Sequence, residues 1–182
     1  MFKLQISKEI KHHCRNQLQN YDFGKRKEAN GNMREQLTGI LGQCVLMEQF
    51  NVGLIDGKDG FDDGLDIEFK GLRIDVKTMG RTCEPKLNYV NNFIGLQMGH
   101  NTDLFIFCSL NKKTCEVTVC GWIPKSEFKK RANFYKKGTK RTRTDGTSFF
   151  TKADLYEIEN SKLFDVNSVE ELKKSITQYY NV

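Results

Sequence analysis

The stretch Asp66-Ile-Glu-Phe-Lys-Gly-Leu-Arg-Ile-Asp75-Val-Lys77 constrains the fold more than any other part of the chain. Two alternating runs, 65–70 and 72–78, meet at Lys70-Gly71, which predicts a β-hairpin with a two-residue turn. That turn pairs Phe69 with Leu72, Glu68 with Arg73, Ile67 with Ile74 and Asp66 with Asp75. Side chains alternate across a sheet. Ile67, Phe69, Leu72, Ile74 and Val76 therefore share an apolar face that must be core. The other face carries Asp66, Glu68, Arg73, Asp75 and Lys77. A slip of one residue would move Asp66 to the wrong side, so everything that follows depends on register.

Glu68 opposite Arg73 is a favourable cross-strand pair, whereas like charges directly opposed destabilise a hairpin. Two carboxylates as close as Asp66 and Asp75 either raise one pKa or take a cation between them. An oxygen-only donor set favours Mg²⁺ or Mn²⁺ over zinc. Lys77, one step along the same face, can orient a water or offset charge on a phosphate. A metal polarises a phosphoryl group and lowers the pKa of a bound water, and a cation stabilises the charge that develops. The parts needed for phosphodiester hydrolysis are together. The spacing equally fits an ordinary exposed hairpin with a solvated charged face, and alone it does not choose.

Around this hairpin the pattern predicts helices at 7–20, with Ser7 as N-cap and Ile10, Cys14 and Leu18 on one stripe, and at 33–50. Asn32 and Glu35 form a capping-box-like pair before the second helix. Its apolar face is Met33, Leu37, Ile40, Leu41, Cys44 and Val45. Gly39 and Gly42 each cost about 1 kcal/mol against alanine mid-helix, which points to close approach of another backbone. Residues 21–31 are a polar connector and 53–64 a loop rich in Gly and Asp. A strand pair is expected at 103–110 and 115–123, then a helix opened by Pro124 and reaching about 134. A basic loop, short strands at 148–151 and 154–158, and a helix at 169–180 capped by Ser168 and Glu171 complete the chain. This order predicts an α/β (α+β) fold with a central mixed β-sheet flanked by helices.

At 182 residues, with no linker-like segment or repeat, the expectation is one domain with a real core. No apolar run reaches transmembrane length and no signal-peptide core opens the chain, so a soluble, cytoplasmic protein is expected with no membrane partner. The six cysteines form no zinc pattern and read as reduced thiols. The net charge of +6 is mild, but its distribution is informative. Acids crowd into 56–66 and bases into 125–143, a layout suited to holding a cation beside a polyanion. The segment from Lys136 to Arg143 holds five basic residues, Lys136, Lys137, Lys140, Arg141 and Arg143. With Lys129, Lys130 and Arg131 before them, these are the candidate nucleic-acid-binding residues. A solvated basic loop is the bland alternative. Phe134, Tyr135, Phe149 and Phe150 bracket the run, with base stacking or anchoring as their two readings.

Asp66, an eight-residue gap, then Asp75-Val76-Lys77 closing a hydrophobic strand resembles the PD-(D/E)xK nuclease superfamily, over roughly residues 33–110. The resemblance implies a restriction-endonuclease-like fold and a Mg²⁺- (or Mn²⁺-) dependent nuclease, an endonuclease acting on DNA more than RNA. Asp66 and Asp75 would hold metal, with the main-chain carbonyl of Val76 as a further ligand, and Lys77 would assist hydrolysis. The family often carries an acid on the preceding helix, where this chain has Gln43, a neutral auxiliary group flanked by Glu35 and Glu48. Members often act as homodimers with one active site per strand. The rivals are a nuclease-fold binding protein with weak or lost catalysis, which Gln43 favours, and an interaction protein with solvated hairpin acids.

Other residues carry less. The loop acids Asp56, Asp59, Asp62 and Asp63 fail the EF-hand spacing. His12, His13 and His100 read as structural or surface residues. Gln97 follows the Asp75-Val76-Lys77 strand, where related nucleases place an auxiliary polar group. Trp122 reads as core.

Overall fold

Two well-capped helices precede the hairpin. In the computed structural model, Ser7 Oγ accepts the Ile10 N–H at 3.1 Å and starts α1 (Lys8–Asn20). Asn32 Oδ1 accepts from Arg34 and Glu35, and the Glu35 carboxylate accepts the Asn32 N–H at 2.8 Å. This closed capping box opens α2 (Met33–Gln49). The structure describes residues 1–23, 31–59, 64–142 and 146–182.

The hairpin forms in the expected register, with β2 (Ile67–Phe69) against β3 (Leu72–Arg81) pairing Ile67 with Ile74, Glu68 with Arg73 and Phe69 with Leu72. Lys70 and Gly71 both have positive φ, 52° and 79°. Two such residues make the turn whose twist matches paired strands. β3 then runs parallel to β5 (Leu104–Asn111), which pairs antiparallel with β6 (Glu116–Pro124). β1 (Phe2–Gln5), for which the sequence raised no expectation, closes the far edge. The sheet order is β1-β6-β5-β3-β2, a mixed five-stranded sheet.

Each face of this sheet has its own core. On one face Ile67, Leu72, Ile74, Val76, Leu104 and Ile106 join Ile10, Cys14, Ile40, Cys44, Val45 and Leu46 of α1 and α2. Leu172 and Ile176 of α4 (Val169–Tyr180) belong to the same core. The expected hairpin core face is thus correct throughout, with Phe69 partly buried. On the other face Phe105 and Phe107 meet Phe93 of β4 (Val90–Ile94), Phe128 of α3 (Lys125–Arg131) and Ile158 of β10 (Leu155–Glu159). β4, β10 and β7 (Asn133–Tyr135) form a second sheet in the order β4-β10-β7. β8 (Lys140–Thr142) and β9 (Ser148–Phe150) make a separate two-stranded ribbon.

Several local expectations are corrected. The helix after Pro124 ends at Arg131 rather than 134, because Asn133–Tyr135 pairs with β10. Met33, the first residue of α2, is exposed instead of packing on the apolar face. The Glu171 carboxylate accepts the N–H of Asn167, not of Ser168, while Ser168 Oγ caps Glu171 as expected. Gly42 makes a close approach to a side chain, not a backbone: a Cβ there would lie 2.0 Å from Thr78 Oγ1. Gly39 has nothing within 4 Å of that position. No helix among the described residues is long and apolar enough to cross a membrane.

Candidate functional site

The hydrogen-bond pattern of β3 decides which way each group points. Residues of a strand bond through N–H and C=O on the same side, alternating along the chain. Arg73 exchanges bonds with Asp103 on the β5 side, its N–H donating to Asp103 Oδ2 at 2.7 Å and its carbonyl accepting the Asp103 N–H at 2.9 Å. Ile74 and Val76 therefore address the β2 side. There β2 has run out, and Asp66 takes over the ladder. Its N–H donates to the Ile74 carbonyl at 3.0 Å, and its Oδ2 accepts the Val76 N–H at 2.6 Å. The Val76 carbonyl, on the same side as its N–H, points toward this edge as well.

This geometry corrects one expectation. Strand pairing stops at Ile67 and Ile74, and Asp66 does not project off the sheet directly opposite Asp75. Its carboxylate turns to a backbone N–H instead. The like-charge conflict is thereby eased by a charge-assisted hydrogen bond. Nor does Arg73 reach across to Glu68; its Nε donates to the Asn101 carbonyl.

Asp75 and Lys77 share the face of β3 opposite α2. Asp75 stands beside Phe105 and Lys77 beside Phe107 in the parallel register. The Lys77 ammonium lies 5.6 Å from the Phe93 ring centroid. Of the two readings that the spacing left open, a solvated face does not hold: the second sheet roofs it, and Asp75 is only 1% exposed. Lys77 Nζ donates to Asp75 Oδ1. Asp75 Oδ2 is buried with no hydrogen-bond partner. Leaving such a group unmatched costs about 1–3 kcal/mol, more when it is charged. A hard divalent cation takes oxygen ligands of this kind. Asp75 Oδ2 fits such an ion as an unmatched buried oxygen, and the Asp66 carboxylate, bonded to the Val76 N–H, stands at the adjoining strand edge. No group of three or more His, Cys, Asp or Glu able to hold a metal occurs among the described residues. Asp62 and Asp63 lie outside the described residues.

Gln43 is buried on α2, next to Gly42, which meets Thr78 two residues along β3 from Val76. Gln97 is buried in the short 3-10 helix Gly95–Gly99 that follows β4, two elements along from Lys77. His12 and His13 have the structural roles expected, bonded to Asn16 and to the Ile55 carbonyl at 2.9 and 2.8 Å.

The basic residues divide into two groups. Lys136, Lys137 and Lys140 are exposed. Arg141 is built into the fold: it pairs with Glu157 at 2.7 Å and lies 3.8 Å over the Tyr135 ring. The Glu157 carboxylate holds its guanidinium in the charged form. Lys130 and Arg131 are likewise answered by Glu127. Arg143 lies outside the described residues.

The sequence reading missed Arg81 and Phe93. Arg81 continues the two-residue rhythm of Asp75 and Lys77 along β3, a signal that strict alternation carries. Its guanidinium donates to the Val90 carbonyl at 2.7 Å and lies 4.9 Å over the Tyr89 ring, while Nε is buried without a partner. Burial pulls its pKa below the usual arginine value. Phe93 had no signal, since β4 was not foreseen. Comparison with family models, with curated proteins and with solved structures returned no match.

Proposed function

We propose that this chain is a metal-dependent nuclease of the PD-(D/E)xK, restriction-endonuclease-like type, hydrolysing phosphodiester bonds of DNA. The observation that carries the reading is the buried Asp75, one carboxylate oxygen held by the half-buried Lys77 and the other unmatched, next to Val76, whose N–H is bonded by Asp66. Asp66, Asp75 and the Val76 carbonyl would hold Mg²⁺ or Mn²⁺. When bound, such an ion supplies a polarised phosphoryl group and a water of lowered pKa. Asp75 Oδ1 fixes the Lys77 ammonium, which is thereby positioned to offset negative charge developing on a phosphate. Phe93, Phe105 and Phe107 keep the surroundings of the pair apolar, where such electrostatic interactions are stronger than in water. Lys136, Lys137 and Lys140 supply phosphate contacts outside the site. The six free thiols suit a cytoplasmic setting.

A second reading, nucleic-acid binding without turnover, is favoured by Gln43, which is neutral where the resemblance implies an acid. Incubation of the purified protein with plasmid, single-stranded DNA and RNA, each with Mg²⁺, Mn²⁺ or EDTA, separates the two. Metal-dependent nicking supports the nuclease. Binding with no cleavage in any metal supports the second reading.

A further inference from the structure

The β8–β9 ribbon has two unlike faces. Its register pairs Lys140 with Phe150, Arg141 with Phe149 and Thr142 with Ser148. Arg141 anchors one face to Glu157 of β10 and to Tyr135 of β7. Glu157 points to the side of the second sheet opposite Tyr156 and Ile158, which face the core. The ribbon is therefore layered on the outer surface of that sheet. Its other face is open: Lys140, Thr142, Ser148 and Phe150 are all exposed, Phe150 to 66%.

The composition of that open face is specific. A cation stands directly opposite a large bare aromatic ring, and the Thr142 and Ser148 hydroxyls meet 3.0 Å apart in the next row. A second exposed lysine, Lys136, is tied to the same end of the ribbon, because its carbonyl accepts the Thr151 hydroxyl at 2.6 Å. Among the described residues, Glu157 is answered by Arg141, and Asp154 Oδ1 accepts the Lys137 N–H at 2.9 Å. Lys140 and Lys136 thus flank an exposed ring, an arrangement that matches a phosphate chain carrying unpaired bases. Stacking of a base on an aromatic ring needs an unpaired base, and lysines flanking the ring track the phosphates on either side. A duplex offers the phosphates but hides the base faces.

We infer that the open face of the β8–β9 ribbon binds single-stranded DNA, with Phe150 stacking on a base and Lys140 and Lys136 contacting phosphates. This deepens, and rests on, the reading of the chain as a DNA-acting protein, since it makes strands with unpaired segments the preferred substrate class. The ribbon is separated from Lys77 by the second sheet, so it anchors the strand away from the point of cleavage.

The test is fluorescence anisotropy with the intact protein in EDTA, using a labelled oligo(dT) strand and a duplex of equal length. Without metal, binding is read independently of cleavage, so failure of this inference and failure of the nuclease reading are distinguishable. Phe150→Ala weakens oligo(dT) binding about tenfold and leaves duplex binding within about twofold, while Phe150→Trp retains it. Lys140→Ala weakens both ligands and lowers the salt slope for the single strand by about 0.7. Equal loss on duplex and single strand with Phe150→Ala, or no loss on either, overturns the inference. A thermal melt of each variant verifies that the ribbon stays docked.

Discussion

The two faces of β3 place alternate residues of one strand in two environments. Toward α2, Ile74 and Val76 are buried among aliphatic side chains, and Gly42 admits Thr78 at close range. Toward the second sheet, the same strand buries Asp75, half-buries Lys77 and Arg81, and faces Ser109 and Asn91. Asp75 Oδ2, Arg81 Nε, Ser109 Oγ and Asn91 Oδ1 all lack partners on that side, against Thr78 Oγ1 on the other. Native proteins match nearly all buried polar groups, and the exceptions gather where a bound group or chemistry completes them. Retaining a carboxylate, an ammonium and a guanidinium there points to a use beyond packing.

The largest expected contrast is in activity. Asp75→Asn or Lys77→Ala reduces Mg²⁺-dependent DNA cleavage to the metal-free background, while Ile74→Val, one residue away on the closed face, leaves it intact. Circular dichroism confirms that each variant is folded. In stability, Lys77→Met strands the Asp75 carboxylate and costs about 3–5 kcal/mol in urea denaturation. Adding Asp75→Asn recovers most of that loss, because the stranded charge is gone. Ile74→Val costs only about 0.5–1.5 kcal/mol.

Metal addition probes the same face without a mutation. Mn²⁺ at a hundred times its dissociation constant raises stability by about 2.7 kcal/mol, and Asp75→Asn abolishes the gain. On the closed face, Gly42→Ala drives a methyl into Thr78 and costs about 1–3 kcal/mol. Gly39→Ala has open space and gains up to about 1 kcal/mol. The smallest effects fall on the surface. Lys136→Ala leaves stability within about 0.5 kcal/mol and lowers DNA affinity, whereas Arg141→Ala lowers stability through the loss of the Glu157 pair.

The sequence made legible what local rules govern. Both capped helices, the hairpin, its two-residue turn and its core face followed from caps, alternation and turn chemistry. The 104–111 and 116–124 strands fell within a residue of expectation. Of the second sheet only the 155–159 strand was legible, within a residue of expectation; β4, β7 and the pairing were not. β4 reads Val-Asn-Asn-Phe-Ile, a poor strand by propensity, and it is held by pairing with β10 and by Asn91 bonding Asn160 at 2.7 Å. Nothing local announces partners so distant in sequence. For the same reason the roof over Asp75 is invisible in the sequence, which leaves a solvated face and a functional one equally open. The basic run likewise looked uniform, because the acids that answer Arg141, Lys130 and Arg131 become neighbours only through helical spacing and sheet pairing.

The central claim is that the Asp66, Asp75 and Lys77 cluster cleaves DNA with a divalent ion. A plasmid and single-strand cleavage assay of the parent and Asp75→Asn proteins, in Mg²⁺, Mn²⁺ and EDTA, tests it most directly. The account predicts cleavage by the parent in at least one metal, none in EDTA, and none by Asp75→Asn in any condition. Equal cleavage by the two proteins, or no cleavage by the parent in either metal, contradicts it.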